Sequence, residues 1–233
     1  MDIFFKEIRN GDIESIRKRI NKNKNVVNEI FKGKKPLKDV GQSPLQVALK
    51  CANFDIINIL LDNGADVDFI EDANQILPNT ICCPILSCAI MYSMDSLLYV
   101  EYNIKSYEIS KSYVKIIERL LILGANPNKK RFDANNFLNN ITPLGLLAAS
   151  GNNVLKESRI RGNIKAYELA KENVIKILDL LIKYGADVNN WLDNEKWGDK
   201  TNRKAYLENY ESSDSKDYNG EIRAIFQEYF KLK

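Results

Sequence analysis

The 233-residue chain contains no histidine. That removes the imidazole general base and, with it, the Ser-His and Cys-His pairs of nucleophilic catalysis. Cysteine is scarce as well, with 4 in the chain. Cys82, Cys83 and Cys88 cluster, but Cys51 falls near the end of a different helix. The four-ligand set of a structural zinc site is therefore not met, and buried thiols in a reducing compartment are the expected state. There is no glycine-rich phosphate loop and no suggestive pair of carboxylates. The sequence predicts no catalytic, cofactor-binding or metal-ligating residues, and no enzyme. Long apolar runs are missing too: the longest, Ile81 to Met91, is interrupted by Pro84 and falls short of the roughly 18 residues of a membrane span. The start, Met1 to Glu7, lacks the apolar core of a signal peptide. No membrane contact and a cytoplasmic location are expected.

Net charge is also small, at +3, too little to argue for nucleic acid alone. Its distribution is uneven. Asp2 to Lys38 holds 11 bases against 5 acids, whereas Asp187 to Glu221 holds 9 acids against 5 bases. In an elongated array such ends lie far apart and form a gradient that steers partners; two solvated capping surfaces would look the same.

What the chain does have is one phrase used three times. Gly64-Ala65-Asp66-Val67-Asp68, Gly124-Ala125-Asn126-Pro127-Asn128 and Gly185-Ala186-Asp187-Val188-Asn189 each follow an apolar run of helical period. Each is a helix stop with glycine supplying the left-handed residue. A chain that ends its helices the same way three times is a repeat array. The unit before Gly64 opens with Ser43-Pro44-Leu45-Gln46, where a hydroxyl caps free amides and proline takes the first helical position. Ile57, Leu60 and Leu61 form the stripe of its second helix.

These residues resemble an ankyrin repeat: two antiparallel helices, then a β-hairpin-like finger. Pro44 to Gly64 has the family spacing. The units opened by Cys83-Pro84-Ile85 and by Thr142-Pro143-Leu144 keep the ends and stretch the middle, because the closing glycines stand 60 and 61 positions apart instead of about 33. Asn103 to Lys111 matches Asn163 to Lys171 at six of nine positions, as duplication of an enlarged unit would leave it. The spacing of Ile109, Tyr113, Ile116 and Leu120, and of Ala170, Val174, Ile177 and Leu181, extends each second helix backwards. A one-residue slip between the copies suggests that one of these helices is broken. Residues 93–102 and 152–162 are left as expected loops. Where the family often writes histidine, Gln46, Leu86 and Gly145 stand, so the imidazole bridge between units is expected to be absent.

The resemblance implies an all-α solenoid with capping helices at both ends. Its expected divisions are a first cap at 1–42, a repeat at 43–82, enlarged repeats at 83–141 and 142–189, and a closing cap at 190–233. In that family the fingers and the inner faces of the first helices form a concave palm that binds proteins. Phe69, Asp72, Arg131, Phe132, Asp133, Trp191 and Trp197 lie on the fingers and are the candidate contacts, since aromatics and arginine anchor interfaces. The aromatics could instead pack into their own hairpins. The Lys/Asn/Ile-rich usage suggests an AT-rich microbial genome, and small free-standing microbial members include inhibitors or immunity proteins that neutralise a toxin or enzyme. The expected partner is therefore another protein, met by a monomer. The alternatives are nucleic acid at the basic end, through Lys32, Lys34, Lys35 and Lys38, or a scaffold joining two partners.

Overall fold

The computed structural model describes residues 3–33, 36–72, 82–99, 105–131, 141–188, 192–194, 199–201 and 220–231. Four helix pairs follow one another: α1 (Ile3–Asn10) with α2 (Ile13–Lys22), α3 (Pro44–Lys50) with α4 (Phe54–Asp62), α5 (Ile85–Asp95) with α6 (Lys105–Ile122), and α7 (Pro143–Ile160) with α8 (Ile164–Lys183). A closing helix, α9 (Gly220–Lys231), packs on α7 and α8. The first helices α1, α3, α5 and α7 stack in one layer, and α2 and α4, then α6 and α8, stack in the other. One continuous apolar core runs from Phe4 to Tyr229. The protein is an all-α solenoid. Its one regular sheet among the described residues is the hairpin of β1 (Leu192–Asn194) and β2 (Asp199–Thr201), paired antiparallel with Asp193 opposite Lys200.

Local chemistry fixes the pairs. Ser43 and Gln46 form a reciprocal capping box at α3, and Thr142 Oγ1 accepts from Gly145 N at α7. Tight turns join three pairs through a left-handed residue: Gly11, Ala52 and Gly162, with φ of 72°, 54° and 68°. Asp12 and Asn163 then cap the following helices, accepting from Ser15 N and Ala166 N. Asn53 does something else with the same position: its Nδ2 donates to Ile8 O of the preceding pair at 2.6 Å.

Two expectations need correction. Residues 93–102 and 152–162 are not loops as far as they are described. α5 runs to Asp95 and continues as a 3-10 turn over Ser96–Tyr99, and α7 runs unbroken to Ile160. The polar residues that read as breakers are satisfied inside. Ser110 Oγ donates to Ser93 O at 2.7 Å, and Asn173 Nδ2 donates to Ser110 Oγ at 2.8 Å, so α5, α6 and α8 share a buried polar knot. Gly151 is a packing residue: a Cβ there would lie 2.9 Å from Val174 Cγ2 and 3.2 Å from Ile222 Cδ1. Second, the slip between the duplicated segments breaks neither helix; α6 and α8 are each continuous.

Candidate functional site

The repeated helix stop does more than stop helices. Asp68 and Asn128, which close the first two copies, and Asn28, at the end of a 3-10 turn ahead of them, each reach the next unit's stop. Asp66 N donates to Asn28 Oδ1 at 2.8 Å, Asn126 N to Asp68 Oδ1 at 2.8 Å, and Asp187 N to Asn128 Oδ1 at 2.7 Å. Asn28 and Asn128 also donate Nδ2 to the carbonyls of Gly64 and Gly185. Lys129 Nζ adds a bond to Asp68 O. These bonds form a ladder along the finger roots and tie each root to the next. Sequence reasoning missed it. The signal was the acid or amide that closes the first two copies of the phrase.

Behind the ladder lies a chain of polar groups. Asp39, fully buried, pairs with Arg9 and accepts from Lys50 Nζ at 2.5 Å. Lys50 also donates to Gln42 Oε1, and Gln42 Nε2 donates to Glu71 Oε1 at 3.3 Å. Glu71 Oε2 accepts the amide of Cys83 at 2.9 Å. Gln46 Nε2 donates to Cys83 O at 3.0 Å. The imidazole is absent, as the sequence requires, and Gln46 links the two units with its amide instead. Burial lowers the Arg9 pKa, and its guanidinium lies 5.8 Å from the centre of the Phe31 ring. The Cys88 thiol is pushed well above the usual range, first by its hydrogen bond with Cys83 and then by burial. Cys82, Cys83 and Cys88 are buried, Cys51 is half-buried, and none of the four forms a disulfide. Among the described residues no three Cys, Asp or Glu side chains come together as a metal site would need.

The candidate contacts divide. Phe69 is half-buried and packs against the core; Asp72 is exposed. Arg131 is buried at 5% exposure, with its N–H donating to Ile141 O at 3.0 Å across the finger. Phe132, Asp133, Trp191 and Trp197 lie outside the described residues. The palm differs from the family picture in one respect. Every residue from Pro44 to Leu49, Ile85 to Ile90 and Pro143 to Ala148 is buried, so these helix starts expose no face. Accessible side chains on this side belong to the finger roots, such as Lys32, Asp66, Asp72 and Asp187. No described helix is long and apolar enough to cross a membrane.

An ankyrin-repeat family model matches residues 40–69. No curated protein matches the chain. Among solved structures, the chain is 18% identical to one in the complex of the predatory endopeptidase Bd0816 from Bdellovibrio bacteriovorus with immunity protein Bd3460. The match covers all of this chain and 99% of that one at a TM-score of 0.43, a likeness too distant to carry function across.

Proposed function

We propose that this chain, an ankyrin-repeat solenoid, binds one specific protein partner through its finger side. The ladder of Asn28, Asp68 and Asn128 carries this reading: it holds neighbouring finger roots in one register before any partner arrives. Binding then loses little freedom in ordering these roots, which favours affinity. The buried floor at α3, α5 and α7 leaves the fingers as the contact surface. Phe69, Asp72, Arg131, Phe132, Asp133, Trp191 and Trp197 are the proposed contact set, with Asp72 facing solvent and Arg131 acting as the internal support of its finger. The mechanism is steric: a rigid surface covers a toxin or enzyme at its working site, as an inhibitor or immunity protein does. Four cysteines without a disulfide suit a reducing, cytoplasmic setting. The test is capture from the source cell's lysate by wild type and by Phe132→Ser/Trp191→Ser/Trp197→Ser. One enzyme held by the first and lost by the second supports the reading; an equal catch moves the interface elsewhere.

One observation favours nucleic acid instead. Arg17, Lys18, Lys22 and Lys24 are all exposed at the first end of the array. Duplex binding that weakens steeply with salt, as several phosphate contacts require, would support that reading.

A further inference from the structure

Asparagine stands directly before glycine three times, as Asn10-Gly11, Asn63-Gly64 and Asn219-Gly220. The pairing has its own chemistry. Glycine carries no Cβ, so nothing shields its amide nitrogen from the side-chain carbon of the asparagine before it. Asn219 lies outside the described residues. The other two pairs share a backbone. Gly11 and Gly64 are left-handed, with φ of 72° and 81°, and each amide donates to the carbonyl three residues back at 3.2 Å. The difference lies in the asparagine. Asn63 is half-buried, and its Nδ2 donates to Ile59 O at 2.8 Å, which ties the carboxamide back onto α4. Asn10 is exposed, and its carboxamide makes no hydrogen bond among the described residues. It is the last residue of α1, where a helix frays. A cleft of about 250 Å³, bounded by Gly11, Ile13, Ala52 and Asn53, opens this turn to water.

We infer that Asn10 is a site of spontaneous covalent modification, from which Asn63 is protected by the fold. Gly11 N gives its proton to solvent and attacks Asn10 Cγ. The Cγ–Nδ2 bond breaks, ammonia leaves, and a succinimide ring closes. Water then opens the ring at either carbonyl. Opening at Cγ gives aspartate; opening at the main-chain carbonyl gives isoaspartate, whose backbone runs through the former side chain. The balance is a water consumed and an ammonia released, with no oxidant. Either product puts a carboxylate at the C-terminal end of α1, where the helix's own carbonyls disfavour it. Isoaspartate also lengthens the main chain beside Ile8, whose carbonyl accepts from Gly11 N and, in the next unit, from Asn53 Nδ2 at 2.6 Å. Modification therefore loosens the turn that ties the first helix pair to the second. It does not depend on which partner the fingers bind.

The test is peptide mapping of the intact chain after weeks at neutral and at mildly alkaline pH, folded and, in parallel, unfolded in guanidinium chloride. Cleavage after glutamate at acidic pH, where ring closure is slow, releases residues 8–14 with Asn10 and 30–71 with Asn63. The mass gain of an acid in place of an amide marks reaction, and fragmentation tells isoaspartate from aspartate. In the folded chain Asn10 is expected to react at least about tenfold faster than Asn63, which has to open locally first. In the unfolded chain the two react alike. Both products appear at Asn10, and the rate rises with pH because the nucleophile is the deprotonated amide. Asn10→Gln, which would have to close a larger and slower ring, stays unmodified, and its aged sample keeps the unfolding midpoint that aged wild type loses. An Asn10 that remains an amide in the folded chain while it reacts in the unfolded one overturns the inference. So does equal reaction at Asn10 and Asn63 in the folded chain. Neither result touches the capture experiment above.

Discussion

Gln46 does two jobs with one amide. Its oxygen accepts from Ser43 N at 3.1 Å and its Nε2 donates to Cys83 O across the repeat boundary. Gln46→Leu leaves both partners buried without it and is expected to cost about 2–4 kcal/mol in a denaturant titration, whereas Gln46→His should keep most of the stability. Asp39 is more demanding, since it faces both Arg9 and Lys50 with no exposure. Asp39→Ala removes the counter-charge from two cations that are themselves mostly buried, and should cost about 3–5 kcal/mol. The thiols give a third residue-level prediction. Half-buried Cys51 should react first with iodoacetamide, while Cys82, Cys83 and Cys88 stay protected until the chain unfolds, because burial keeps the reagent from their sulfurs and, at Cys88, the hydrogen bond with Cys83 and then burial disfavour the reactive thiolate. Mass spectrometry of native and denatured samples checks the order. At this scale the sequence was partly legible. Buried thiols could be read from composition, but the partner of Gln46 could not, because Cys83 O lies 37 residues away and offers no side-chain signal.

Helix turns show why some elements were readable and others were not. The three left-handed turn residues fall in the same place, yet one is Ala52 at φ 54°. A Cβ in that region costs about 1–2 kcal/mol, partly offset by glycine's greater freedom in the unfolded chain. Ala52→Gly should therefore stabilise the protein by up to about 1 kcal/mol, read as a raised unfolding midpoint. Gly151 is the opposite case, a glycine inside a helix that the packing requires. Gly151→Val drives atoms into Val174 and Ile222 and should cost about 1–3 kcal/mol. Hydrogen exchange should quicken first in α9, the helix it displaces. The backward extension of α6 and α8 was legible because their apolar stripes continue. The forward extension of α5 and α7 was not: Ser93, Gly151 and Asn152 carry the local signature of a break, and only tertiary partners reverse it.

Across the whole molecule the repeat was the most readable feature. Its three stops, its prolines and its doubled period give the solenoid without any contact information. The finger side was less readable. Sequence placed aromatics and charges on the fingers but could not show that the helix starts behind them are buried, since those residues were needed for packing in any case. Nor did it reveal the Asn28–Asp68–Asn128 ladder, although the residues recur in plain view, because a side chain at a helix stop normally serves its own turn. The central claim is that this ladder aligns the finger roots and that the finger side meets a protein partner. The most direct measurement is the paired lysate capture, with Glu118→Lys/Glu172→Lys added to alter the exposed outer helices. The account predicts one enzyme-like partner retained by wild type and by the outer-helix variant, and lost by Phe132→Ser/Trp191→Ser/Trp197→Ser. A partner kept by the finger variant and lost by the outer-helix variant would contradict it.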